Sequence, residues 1–188
     1  MKKRLTLLQM DVHVNDVEYN YNRVQELLTQ SLTENPDIIV LPETWNTGFH
    51  PSDDLITIAD RNGERTKSLL TAFAKEHNVN IVGGSVAVAK DDLVFNTSYA
   101  YNREGTLVGE YSKMHGFSPA KEDKYFANGT HTTHFELDGI PCSTVICYDI
   151  RFPELVRMAA LPDTELLFVP AQWPTMRLRH WQVLNEVR

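Results

Sequence analysis

Short apolar runs alternate along this chain with stretches in which apolar residues recur every three or four positions, a pattern that predicts a mixed α/β fold. Residues 4–10 are apolar but too short for a helix, which predicts a buried strand. Asn15-Asp16-Val17-Glu18 has a capping residue followed three later by Glu, a helix-start signature. Val17, Tyr21, Val24, Leu27, Leu28 and Leu32 then keep helical spacing until Asn35-Pro36 breaks it. Residues 37–41 form a second apolar run. Strand, helix and strand make a βαβ unit, so these strands are expected to be parallel.

The middle of the chain changes character. Residues 64–77 read as a helix, with Leu69, Leu70, Phe73 and Ala74 on one face and Asn78 as its cap. Residues 79–89 read as strand interrupted at Gly83-Gly84, and residues 93–101 and 106–111 as strands joined by the turn Asn102-Arg103-Glu104-Gly105. This part is expected to be antiparallel. Residues 112–129 have no period; a loop of that length is usually functional or disordered, and its aromatics Phe117, Tyr125 and Phe126 favour order. Residues 132–137 and 141–147 pair around Asp138-Gly139, followed by a short helix at 152–160 and a strand at 165–169. Residues 177–188 are helical in pattern and end without a Gly or Pro stop, so the domain is expected to continue past Arg188. No linker or repeat divides residues 1–188, which predicts a single domain.

Charge narrows the function classes. The net charge is −7, from 18 Lys and Arg against 25 Asp and Glu, and the longest basic run is Lys2-Lys3-Arg4. That argues against nucleic acid or an anionic membrane as partner. No apolar run reaches the length of a membrane span. The two cysteines, Cys142 and Cys147, lie in one predicted strand, with Cα atoms about 16 Å apart and side chains on opposite faces. A disulfide is excluded by that separation, which implies free thiols and a reducing compartment such as the cytoplasm. His131 and His134 lack carboxylate or thiol company, so no metal site is expected.

Three residues stand at or just beyond the ends of apolar strands: Glu43 after 37–41, Lys113 after 106–111 and Cys147 after 141–146. Gathered on one rim, they suit acyl transfer from an amide. Cys147 would attack the carbonyl, Glu43 would carry the proton, and Lys113 with the Tyr148 N–H would steady the oxyanion. Each also has an ordinary reading: a buried structural thiol, and two solvated surface charges. Phe117 and Trp173 are candidate pocket walls or core residues. Arg151 is a candidate for a substrate carboxylate or, more simply, a partner for Glu154 or another carboxylate near the turn after Cys147. His115 invites a Cys–His dyad reading, with a structural role as the simpler one. Gly83-Gly84 lacks the residues of a phosphate loop.

The stretches Leu41-Pro42-Glu43, Tyr111-Ser112-Lys113-Met114-His115 and Val145-Ile146-Cys147-Tyr148-Asp149-Ile150-Arg151-Phe152-Pro153-Glu154 resemble, in order and spacing, the three signatures of the nitrilase superfamily of carbon–nitrogen hydrolases. The resemblance implies a Glu-Lys-Cys triad at Glu43, Lys113 and Cys147, with Glu122 as a second glutamate orienting Lys113 and the substrate. It implies a four-layer α-β-β-α sandwich, commonly a homodimer through its helical layers, and no cofactor. Cys147-Tyr148-Asp149-Ile150-Arg151-Phe152-Pro153 and Pro170-Ala171-Gln172-Trp173-Pro174 with His180-Trp181 most resemble the Nit/omega-amidase branch. That branch implies hydrolysis of the terminal amide of a small 2-oxo acid such as 2-oxoglutaramate. Alternatives are another small amide (deaminated glutathione or an N-carbamoyl compound), a Cys147–His115 thiol peptidase or acyltransferase, a non-catalytic dimerising module, and a flavodoxin-like binding protein. The family's domain extends beyond the helix at 177–188, so activity of the chain ending at Arg188 is an open expectation.

Overall fold

β1 (Leu5–Leu7), α1 (Val17–Ser31) and β2 (Ile38–Val40) build the first unit of the structure, a computed structural model that describes residues 2–49, 52–161 and 163–188. Asp16 caps α1 by accepting from the Tyr19 N–H at 3.1 Å, and the helix buries Tyr21, Val24 and Leu28. A 3-10 turn follows, and Asn35 stops it in the left-handed region at φ 49°. β1 and β2 are parallel, with Leu5 opposite Ile38 and Leu7 opposite Val40. β1 is an edge strand, however, and not the buried one its apolar run predicts. Leu5 and Leu7 remain exposed because, among the described residues, no second-sheet strand packs over them.

Two short elements carry no sequence period of their own, α2 (Leu55–Ile58) and β3 (Asp60–Arg61). α3 (Glu64–His77) follows, ended by Asn78 in the left-handed region at φ 52°. β4 (Asn80–Val82) and β5 (Val86–Lys90) are separated at Gly83-Gly84-Ser85. The nine-residue β6 (Leu93–Tyr101) pairs antiparallel with β4, with β5 and with β7 (Leu107–Ser112). β2 runs parallel to β4 and so joins the two halves of a mixed sheet of seven strands among the described residues. The aperiodic stretch is ordered by a 3-10 turn at Ser118–Ala120 and one turn of helix, α4 (Glu122–Tyr125).

β8 (His134–Leu137) and β9 (Ile140–Thr144) form a hairpin on Asp138-Gly139, both at positive φ as a tight two-residue turn requires. α5 (Pro153–Ala160) then crosses over to β10 (Leu166–Phe168), parallel to β9. α6 (Leu178–Val187) closes the chain. Four layers result. α1 and α3 set Tyr21, Leu28, Leu70 and Phe73 against Ile39, Ile81 and Tyr99 of the large sheet. Its other face sets Ile38, Val40, Val82 and Ala100 against Phe135, Leu137, Cys142 and Phe168 of the small sheet. α5 covers the far side of that sheet through Leu155 and Ala159. This is the α-β-β-α order expected from the resemblance. Both cysteines are free.

An ionic cluster ties the layers together at the end of β2 away from Glu43. Arg103, in the turn after β6, donates to Asp138 at 2.7 and 2.8 Å, to Asp37 at 2.8 Å and to the Asn78 carbonyl at 2.6 Å. Lys3 adds a 2.7 Å contact to Asp138. The Arg103 guanidinium, followed by Lys3, holds Asp138 well below the usual carboxylate range. The Arg4 N–H and then Arg103 also lower Asp37. Depressed folded-state values contribute stability that is present above the unfolded Asp value of about 4 and is lost as pH falls below it. Arg103→Ala is therefore expected to lower unfolding free energy at neutral pH by about 2 kcal/mol. It should also flatten the acid-induced loss below about pH 4, as urea titrations across pH will read.

Candidate active site

The backbone brings the strand ends together by close approach. Leu41 extends β2 by donating to the Val82 carbonyl at 3.0 Å, and the Pro42 carbonyl accepts from the Ser85 N–H at 3.0 Å. Gly84, at φ 61°, makes this possible, since a Cβ there would drive into the Pro42 carbonyl. Glu43 is thereby fixed at the strand end with no exposed surface. Lys113 follows β7, donating its N–H to the Asn96 carbonyl and accepting from the Gly129 N–H at 2.9 and 2.8 Å. Gly129 lies so close to the Ser112 carbonyl that no larger residue fits. Cys147 leaves the extended Ile146 at φ 47° and opens a 3-10 turn, Cys147–Arg151, with its N–H on the Pro170 carbonyl at 2.9 Å.

The side chains converge on Lys113. Its Nζ donates to Glu43 Oε1 at 2.8 Å and to Glu122 Oε1 and Oε2 at 2.9 and 2.8 Å, while only 3% of the residue is exposed. Asn96 Nδ2 bridges the two carboxylates at 3.1 Å to each. The Phe117 N–H donates to Glu122 Oε2 at 2.6 Å, and the Gln172 N–H to Glu43 Oε2 at 2.8 Å. Gln172 also returns its side-chain amide to the Glu43 carbonyl at 2.7 Å. The Cys147 thiol is within hydrogen-bonding reach of Glu43. A carboxylate, an ammonium and a thiol thus share one buried pocket.

Comparison with known proteins decides the family. A carbon–nitrogen hydrolase family profile matches residues 4–188. A 2-oxoglutaramate amidase of Bacillus subtilis (strain 168) is 40% identical over 184 residues, covering 98% of this chain and 70% of that protein. The chain belongs to the carbon–nitrogen hydrolase family. A hydrolase in the agr operon of Staphylococcus aureus is 33% identical over 98% of this chain and 71% of its own length. Among solved structures, a CN-hydrolase superfamily protein from Xanthomonas campestris superposes with a TM-score of 0.85 at 28% identity, covering 97% of this chain and 69% of that one. A Saccharomyces cerevisiae member of branch 10 of the nitrilase superfamily also gives 0.85, at 25% identity, with 96% and 68% covered. These likenesses agree with the motif-based placement in the Nit/omega-amidase branch and with hydrolysis of a carbon–nitrogen bond other than a peptide bond.

Electrostatics in this carbon–nitrogen hydrolase follow from burial. Burial pulls the Lys113 ammonium down, but the Glu43 and Glu122 carboxylates outweigh it and hold Lys113 above its ordinary value. Burial, and then the Glu43 charge, push the Cys147 thiol well above its usual range, against Lys113. The resting thiol therefore keeps its proton, with Glu43 beside it. Burial also raises Glu122, opposed by Lys113 and aided by Glu43. Above Cys147 opens a small cavity of about 40 Å³ walled by Phe49, Phe117, Tyr148, Arg151, Trp173 and Arg177. Among the described residues, no cluster of three His, Cys, Asp or Glu side chains has metal-binding geometry.

The expected site residues fall into place unevenly. Phe117 and Trp173 line the cavity, Trp173 also packing against the Tyr111, Ile146 and Cys147 cluster, and Tyr148 packs its ring 5.0 Å from Phe117. The expected Arg151–Glu154 pairing is not formed. Arg151 sits over the Tyr148 and Trp173 rings at 5.5 and 5.2 Å, and its Nε is buried without a partner. Among the described residues it makes no ion pair, because the turn after Cys147 aims it into the cleft. His115 does not serve the thiol: its Nδ1 lies 2.9 Å from Asp149 Oδ1 and its ring stacks on Phe152 at 3.6 Å. The sequence reading missed Asn96, Gln172 and Asp149. Asn96 was legible as a polar residue sharing a strand face with Val94 and Ala100; the other two give no periodic signal. Replacing Lys113 by Met leaves two buried carboxylates facing each other, so urea unfolding is expected to show a loss of about 3–5 kcal/mol.

Proposed function

We propose that this carbon–nitrogen hydrolase releases ammonia from the terminal amide of a small carboxylated substrate, an omega-amide of a 2-oxo acid such as 2-oxoglutaramate. The observation that carries the reading is the meeting of Glu43, Lys113 and Cys147 beside a cavity lined by Arg151, which among the described residues makes no ion pair. The 2-oxoglutaramate amidases of Bacillus subtilis and Paenarthrobacter nicotinovorans, 40% and 32% identical, support the substrate class.

Glu43 takes the thiol proton as Cys147 Sγ bonds to the amide carbon. The carbonyl electrons move to oxygen, where Lys113 and the Tyr148 N–H stabilise them. Collapse breaks the C–N bond, and the protonated Glu43 returns its proton to the departing nitrogen, so ammonia leaves a thioester. Water then adds to the thioester with Glu43 as base, and the carboxylic acid departs as the thiol is restored. Glu122 and Asn96 hold Lys113 and Glu43 in register. Arg151 lines the cavity at the far end of the substrate, where its guanidinium pairs with a carboxylate. Exposed Met158, Leu178 and Val187 on α5 and α6 support the helix-layer homodimer that the resemblance implies.

An ammonia-release assay over a panel of small amides tests the reading. Turnover is expected for 2-oxoglutaramate and to fall at least about 10³-fold in Cys147→Ala, which removes the nucleophile. Equal turnover by both would refute it. Arg151→Ala is expected to raise KM for carboxylated amides about 10- to 100-fold, the loss of a charge-assisted hydrogen bond. Butyramide, uncharged and of similar length, should be turned over unchanged. An equal loss on both substrates would remove Arg151 from carboxylate recognition.

A further inference from the structure

Asp149 is fully buried two residues after Cys147, and nothing in the chemistry above uses it. Its Oδ2 accepts from the Tyr111 hydroxyl at 2.7 Å and from the Ile146 N–H at 3.1 Å. Its Oδ1 accepts from the His115 N–H at 2.9 Å and lies 2.9 Å from His115 Nδ1. An ionised carboxylate offers about four acceptor positions, and here all are taken.

The donors are not scattered. Tyr111 lies two residues before Lys113 and His115 two residues after it, while Ile146 immediately precedes Cys147. One carboxylate therefore grips both flanks of the lysine and the near flank of the cysteine. Those two segments come from different sheets, β7 of the large one and β9 of the small one. Burial, and then the charge of Asp149, keep the Tyr111 phenol protonated and donating. The Cys147 backbone is held at φ 47°, a conformation that non-glycine residues leave readily unless constrained. The Ile146 bond to Asp149 supplies a constraint on its N-terminal side.

We propose that Asp149 is a positioning residue that sets the distance between Lys113 and Cys147 across the two sheets. It touches no substrate; it acts through Tyr111, His115 and Ile146. The proposal rests on the reading of Lys113 and Cys147 as the reacting pair.

Asp149→Asn makes the test sharp. The volume is kept, but one oxygen becomes NH2, which must face either the Ile146 N–H or the His115 N–H. Either orientation sets donor against donor on one flank. The expected result is a fold retained by circular dichroism, with kcat on 2-oxoglutaramate down on the order of 10²-fold, the scale of an ångström-sized misplacement. KM should stay within about threefold, since no substrate contact is lost. Alkylation of Cys147 by iodoacetamide at neutral pH should slow about tenfold, because Lys113 no longer faces the forming thiolate. Tyr111→Phe, which leaves both main-chain bonds intact, should lower kcat less, and should cost less still when added to Asp149→Asn.

Unchanged kcat and alkylation in folded Asp149→Asn would overturn the proposal. So would a loss confined to KM, or additive effects of the two substitutions. Should Asp149→Asn not fold, Tyr111→Phe alone decides: wild-type kcat and alkylation rate in that variant would overturn the proposal. Failure of the hydrolase reading is seen separately, as wild-type protein that releases no ammonia from any amide in the panel. In that case the alkylation rates still decide whether Asp149 positions the thiol.

Discussion

The structure depends on one buried cation. Lys113 is enclosed almost completely, and the desolvation cost of its charge is offset only because Glu43 and Glu122 both reach it at 2.8 Å. This sets demands on distant parts of the chain. Glu43 must come from the end of β2, Lys113 from the end of β7 and Glu122 from α4, and Asn96 must sit between the carboxylates. The close backbone approaches at Gly84 and Gly129 are the local means of meeting these demands. The apolar layers give the sheets their separation; the ion cluster requires that β2, β6 and β7 of the large sheet present their polar residues at the same place.

That cluster also explains the state of the thiol. A cysteine near a lone ammonium is expected to ionise, but Cys147 faces an ammonium already neutralised by two carboxylates. Burial and Glu43 then dominate, and the thiol keeps its proton at rest. In the proposed mechanism, proton removal accompanies attack on the substrate carbonyl, with Lys113 beside the forming oxyanion. Arg151, which makes no ion pair among the described residues, and the aromatic walls around the thiol leave little room, which accords with the short carboxylated substrate proposed.

Much of this was legible in the sequence, for identifiable reasons. Helices α1 and α3 carry full apolar stripes and capping residues, so their extents follow from spacing. β6 and its return to β7 follow from alternation around a Gly-containing turn. The three strand-end residues were legible only as a set, through the order and spacing of the motifs that carry them, since each alone has an ordinary structural reading. Contacts between elements distant in sequence were not. Arg151 has a carboxylate three residues away at Glu154, and sequence proximity favours that pair; the 3-10 turn after Cys147 turns the guanidinium towards Tyr148 and Trp173 instead. β1 is apolar yet exposed, since burial depends on which strands lie over it. Asp149 carries no signal of its own in the sequence, and its four donors are separated from it by up to 38 positions.

The central claim is that amide hydrolysis proceeds through a thioester on Cys147. Rapid quenching of the wild-type protein during turnover of 2-oxoglutaramate, followed by intact-mass and peptide mass spectrometry, measures that intermediate directly. The account predicts an added mass equal to the acyl group of the substrate, located on the peptide that carries Cys147 and lost on treatment with hydroxylamine. Turnover with no acyl group on that peptide, or with the acyl group on another residue, would contradict it.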